Sequence, residues 1–118
     1  MTIPDQLVGF SKAVALDRVG GDQNLLSELA SLFLKESVET LGALKQALAA
    51  QDARAVMELA HRLRGSASNF GAEATCNAAQ RLESLGRSRS LQGGEEALAE
   101  LETTVASLRL ALAGMLSS

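Results

Sequence analysis

The sequence predicts an all-α fold: an antiparallel up-down-up-down four-helix bundle with a short extra helix at its N-terminal end. Ala and Leu dominate while aromatics are scarce, with three Phe and no Trp or Tyr; this composition favours helices whose small side chains let backbones pack closely. Apolar residues recur three and four apart in separate stretches. The breaks between those stretches are short, as expected where successive helices reverse direction. With 118 residues, 47% of them hydrophobic, the chain is expected to form one domain, residues 1–118, around a single core.

Pro4 to Arg18 is expected to form a shorter helix or pair of turns laid across one end of the bundle. Gly20-Gly21 then breaks the chain, and Asp22 stands where an N-cap carboxylate would accept the first free amides of a long helix. Within that helix Leu25, Leu29, Leu32, Phe33, Leu41, Leu44 and Leu48 recur at helical spacing, and Leu26, Ala30, Leu34 and Val38 widen the stripe, so more than one neighbour is expected to pack on it. Asp52 is a candidate cap for the next helix, whose apolar residues Val56, Leu59, Ala60, Leu63 and Ala67 keep to one face until Phe70 and Gly71 interrupt it as a hinge. Thr75, Ala78, Ala79, Leu82 and Leu85 mark a third helix ending near Gly86, and the stretch from Gly86 to Gly94 reads as the loosest connection. In the last helix Leu98, Leu101, Val105, Leu108, Leu112 and Met115 alternate three and four apart, the seam of a bundle.

The net charge of -3 argues against nucleic acid, whose binders gather Lys and Arg into a basic surface. A lone Cys76 cannot form an intrachain disulfide, and no secretory leader is expected at the start of the chain. No apolar run approaches the roughly 20 residues that span a bilayer. The expectation is a cytoplasmic monomer without membrane or nucleic-acid partners. One His and one Cys on different helices make a poor coordination set, so no metal site is expected.

At 100° per residue, His61 falls about 140° from the centre of its helix's apolar face, Gly65 near 180° and Ser68 near 120°, all towards water. Arg64, near 80° on the flank, can swing its guanidinium towards the imidazole one turn earlier. Such a face suits a phosphoryl group: an exposed neutral Nε2 is a nucleophile, a guanidinium balances phosphoryl charge, and Gly65 removes bulk where a partner must approach. Taken singly, each residue has a plainer reading, as a solvated His, a helix-crossing glycine or a solubilising Arg. Only the combination carries weight.

The run Ala60-His61-Arg62-Leu63-Arg64-Gly65-Ser66-Ala67-Ser68-Asn69-Phe70-Gly71-Ala72 resembles the signature of histidine-containing phosphotransfer (HPt) domains, commonly A-H-x-L-K-G-S-x-x-x-x-G-A. Arg18-Val19-Gly20-Gly21-Asp22 with Leu25-Leu26 and Leu32-Phe33 is similar to the family's approach to its first long helix, and Arg81-Leu82-Glu83 to Gly86-Arg87 to its third. The resemblance implies a non-enzymatic phosphoryl carrier that takes the group from a receiver-domain phosphoaspartate and passes it to another receiver, within a two-component phosphorelay. It implies His61 as the phosphorylated residue, with Arg64, where the family more often has Lys, and Gly65, Ser66 and Gly71 at their family positions. Glu83 matches a position from which a side chain, Gln in some members, hydrogen-bonds the imidazole, and Gln80 one turn earlier competes for that role. Arg87 is a further candidate for the receiver or the phosphoryl group. The phosphoryl environment is thus expected to comprise Arg64, Gly65, Ser68, Glu83 and Arg87. The implied partners are response-regulator receivers and a hybrid sensor kinase. No cofactor is expected, because the chain shows no P-loop and no acidic cluster for Mg²⁺, which the receiver would supply. The competing class is a helical adaptor that binds a signalling partner without carrying phosphate.

Overall fold

The computed structural model describes residues 10–117. The described residues form five helices, α1 (Lys12–Arg18), α2 (Gln23–Ala49), α3 (Ala53–Ser68), α4 (Glu73–Ser88) and α5 (Gly94–Ser117), and no strand. Of the segment expected to begin at Pro4, residues 4–9 lie outside the described residues, and the remainder supplies α1. Its N-cap is Ser11, whose hydroxyl accepts from the Val14 amide.

Asp22 and Asp52 cap α2 and α3 as their positions require: each Oδ1 accepts the amide three residues on, Leu25 at 3.0 Å and Ala55 at 3.1 Å. At 1.5 Å per residue the 27 residues of α2 are about 40 Å long, close to the 41 Å longest extent of the structure. Helices α2 to α5 form a closed ring of four: α2 on α3, α3 on α4, α4 on α5, and α5 back on α2, while α1 leans on α2. The closest of these packings is α3 on α4.

The core is lined by Leu26, Ala30, Phe33, Leu44 and Leu48 of α2, Val56, Ala60, Leu63 and Ala67 of α3, Ala78, Ala79 and Leu82 of α4, and Leu98, Leu101, Val105, Leu108 and Leu112 of α5. Three expectations are corrected here. Leu25, Leu32 and Val38 are 40%, 51% and 57% exposed, because the buried row of α2 runs through the polar Ser37 and Thr40, which turns those three outwards. Ser37 is satisfied in the core by Arg109, whose Nη1 donates to the Ser37 hydroxyl at 2.8 Å and to the Leu34 carbonyl. Phe70 is not only a helix interrupter: it is 1% exposed and takes edge-on contacts from Phe10 and Phe33 at 6.4 and 5.6 Å. The helix α4 ends near Gly86 as expected, at Ser88, but Gly86 is buried inside it, so the loop to α5 shrinks from the expected 86–94 to residues 89–93.

Gly71 closes the α3–α4 turn at φ +63°, a left-handed conformation that side chains resist. A Cβ there would also lie 2.7 Å from Val14 Cγ1 of α1, so the turn that follows the His61 helix is seated against α1.

Candidate functional site

His61 stands midway along α3 with its side chain 66% exposed, on the edge facing α4. From α4, Glu83 reaches across with a side chain that is only 3% exposed, and its Oε2 lies 2.9 Å from His61 Nδ1. The same carboxylate holds two guanidiniums. Arg64 Nε donates to Oε1 at 2.8 Å and its Nη2 lies 3.5 Å from Oε2, while Arg87 Nη2 donates to Oε2 at 3.0 Å. Three nitrogen-bearing side chains from two helices therefore converge on one buried carboxylate.

Contacts at Nδ1 select the proton arrangement of the imidazole. Arg64 Nη2 also lies 3.2 Å from Nδ1. A guanidinium only donates and an ionised carboxylate only accepts, so Nδ1 satisfies one neighbour and opposes the other. The shorter contact and the carboxylate's negative charge favour Nδ1–H donating to Glu83, which leaves the lone pair on Nε2, the nitrogen pointing away from the cluster. Burial alone would push the Glu83 carboxyl up, but the hydrogen bonds from Arg64 and His61 outweigh it and hold the group below its ordinary 4.5. Glu83 is therefore a carboxylate, able only to accept.

Of the residues singled out in the sequence, the structure brings together His61, Arg64, Glu83 and Arg87. Gly65 is one turn further along α3 with open space around it, since a Cβ there would meet nothing within 4 Å. Ser68 does not join the group: its hydroxyl donates to the Gly65 carbonyl at 2.6 Å, a local bond within α3. Arg64 reaches the imidazole as the sequence suggests, its Nη2 lying 3.2 Å from His61 Nδ1. Its guanidinium lies against Glu83, on the Nδ1 side of the ring, because a buried carboxylate binds it more strongly than open solvent does. Gln80 is exposed and makes no hydrogen bond to the imidazole; that contact belongs to Glu83. The burial of Glu83 had a signal in the sequence. Ala79, Glu83 and Gly86 are spaced four and three apart, one row of α4, and both of its neighbours in that row are buried.

Met57 and Glu58 of α3 complete a shallow depression with His61, Glu83 and Arg87. Cys76, two turns before Glu83 on α4, is half-buried. Its thiol lies 3.7 Å from the Arg64 carbonyl, and burial pushes its pKa up against the opposing pull of Arg64 and Arg18. Among the described residues no group of three or more His, Cys, Asp or Glu side chains comes together in a way that could hold a metal ion, and no helix is long and apolar enough to cross a membrane.

The family model of the Hpt domain matches residues 28–111. Among solved structures, the fold is similar to histidine-containing phosphotransfer protein B (HptB) from Pseudomonas aeruginosa PAO1, with a TM-score of 0.85 and 26% identity over 92% of this chain and 95% of that one. It is also similar to the HPT domain of the Hpt sensor hybrid histidine kinase from Shewanella, with a TM-score of 0.83 and 22% identity over 94% and 96% of the two chains. No curated protein matches the sequence at a significant level.

Proposed function

The chain belongs to the Hpt domain family and is a histidine phosphotransfer protein of a phosphorelay, and we propose that His61 is the residue on which it carries the phosphoryl group. The observation that supports this most directly is the asymmetry of the ring: Nδ1 is engaged by a buried carboxylate while the side chain is 66% exposed. The whole of residues 1–118 is read as one such domain, acting as a cytoplasmic monomer.

In this reading a receiver domain docks over the exposed edge of α3 and α4, using the open space at Gly65 and the depression beside Met57. Nε2 attacks the phosphorus of the receiver's aspartyl phosphate in line. The N–P bond forms as the P–O bond to the aspartyl carboxylate breaks, and the bonding pair leaves with that carboxylate. Nδ1 keeps its proton throughout, and the positive charge gained by the ring faces Glu83. Arg64 and Arg87 offset the charge of the carboxylate, so the cluster around the ring is cationic before the phosphoryl group arrives. The reverse sequence returns the group to a second receiver.

Nothing in this chemistry requires a cofactor held by the chain itself. Its parts are a nucleophile, a proton-holding carboxylate and two guanidiniums, so Mg²⁺ and the remaining catalytic groups come from the receiver, and the chain acts as a carrier rather than an enzyme.

The deciding experiment is transfer from a panel of phosphorylated receiver domains to the wild type and to His61→Gln, followed as acid-labile phosphate. The expected result is labelling of the wild type alone. Equal labelling of both proteins would move the acceptor elsewhere. Binding of receivers without labelling of either would leave a helical adaptor.

A further inference from the structure

We propose that Gly86 is a positioning residue for phosphoryl transfer: by letting the backbones of α3 and α4 touch one turn from the acceptor, it sets the separation at which Glu83 can hold His61. The inference rests on His61 as the acceptor and deepens that reading.

Gly86 is buried in the last third of α4, and a Cβ built on it would lie 2.6 Å from the Ala53 carbonyl oxygen, 2.6 Å from the Met57 nitrogen and 2.9 Å from Met57 Cα. All three are backbone atoms, so no rotamer change can make room; the helices themselves must separate. Among the other glycines inside helices, Gly42, Gly65 and Gly114 have nothing within 4 Å of the same position. Glycine is otherwise a poor helix former, and here the close approach is the physical reason for it.

The crossing and the site share the same two helical turns. Glu83 is one turn before Gly86 on α4, and His61 one turn after Met57 on α3, so in antiparallel helices the Glu83–His61 pair is the next pair along the seam. Restoring ordinary contact at a Cβ on residue 86 needs an opening of about 0.8 Å. Added to the 2.9 Å contact between Glu83 Oε2 and His61 Nδ1, that passes the range of a hydrogen bond. Glu83 is held back on its own helix by Arg87, one turn further along α4, whereas Arg64 moves with His61 on α3. Nδ1 then becomes available to Arg64 Nη2 as an acceptor, and the proton moves to Nε2, which removes the nucleophilic lone pair.

The test compares Gly86→Ala with Gly114→Ala, a helical glycine of α5 in open space. His61 is the only histidine, so the long-range ¹⁵N spectrum of its ring reads the tautomer without assignment and without any receiver. For folded Gly86→Ala the expected result is loss of the Nδ1–H preference and a fall in transfer rate of roughly 10- to 100-fold, with Gly114→Ala matching the wild type in both. A folded Gly86→Ala with the wild-type tautomer and a rate within about twofold of wild type would overturn the proposal. Should Gly86→Ala fail to fold, Glu83→Asp decides, because it shortens the carboxylate's reach by one methylene and leaves the crossing intact. A wild-type tautomer and rate in Glu83→Asp would show that the separation is not limiting and overturn the proposal; loss of both supports it. If no receiver labels the wild type, the carrier reading fails by itself, while the ring spectra still report whether Gly86 sets the contact.

Discussion

Replacing Glu83 with Gln keeps the shape of the side chain but removes the charge shared by Arg64, Arg87 and His61. A hydrogen bond to a charged group contributes about 1.5–3 kcal/mol net when its partners are desolvated. Here the carboxylate is buried, whereas the side chains of His61, Arg64 and Arg87 are 66%, 38% and 67% exposed and regain water when released. Screening therefore reduces the expected loss to about 1–2 kcal/mol at neutral pH, or about 4–8 °C in Tm for a chain of this size. The pH dependence gives the sharper test. The folded-state pKa of Glu83 lies below its ordinary 4.5, so between the two values the unfolded chain binds more protons and stability rises with pH. The contribution is fully present above 4.5 and is lost as pH falls through the folded pKa. Urea unfolding of wild type and Glu83→Gln at a series of pH values from neutral down to acid checks this, because the difference between the two isolates one carboxylate from the others. The gap should be level above 4.5 and narrow below it. A gap that stays constant across the series, or that widens in acid, would refute the assignment of Glu83 as an ionised hub.

Three further outcomes are expected. Arg109→Ala leaves the buried Ser37 hydroxyl without its donor and should destabilise by about 1–3 kcal/mol in urea, whereas Arg109→Met combined with Ser37→Ala, which removes both polar partners, should lose less. Gly71→Ala should cost about 1–2 kcal/mol for its left-handed backbone alone, with a further loss from crowding on Val14. Adding Val14→Ala should recover only the crowding share in thermal melts. Asp52→Ala removes the side-chain cap of α3 and should cost about 1 kcal/mol, read by denaturant midpoint at unchanged slope.

The starts of α2 and α3 were legible because Asp22 and Asp52 are caps whose geometry needs only the next three residues, whereas α4, which has no side-chain cap, was legible from its apolar spacing. The seam of α5 was legible for the same reason, since its apolar residues keep one phase from Leu98 to Leu112. In α2 the apolar residues ring most of the helix, and hydrophobicity alone does not say which arc meets the core. The choice depended on Ser37, which is buried because Arg109 comes from 72 residues away. The site divided in the same manner. The spacing of His61, Arg64 and Gly65 is a property of one helix and could be read from the chain. The turning of Arg64 towards Glu83 depends on how closely α3 and α4 approach, which is set by Gly86 against the backbone of Met57. A glycine that ends a helix and one that admits a neighbour look alike in sequence.

All three phenylalanines meet at Phe70, and this determines how the protein can be watched. With no Trp or Tyr, the chain is nearly transparent in the near-ultraviolet band by which most proteins are quantified, so concentrations are best taken from the peptide bond or from refractive index. What near-ultraviolet dichroism it does have arises from one edge-on trio at the joint between the lead-in to α1, helix α2 and the turn after α3. Ring-current shifts of the methyl groups around that joint therefore form a built-in reporter of whether α1 is seated, visible without any label.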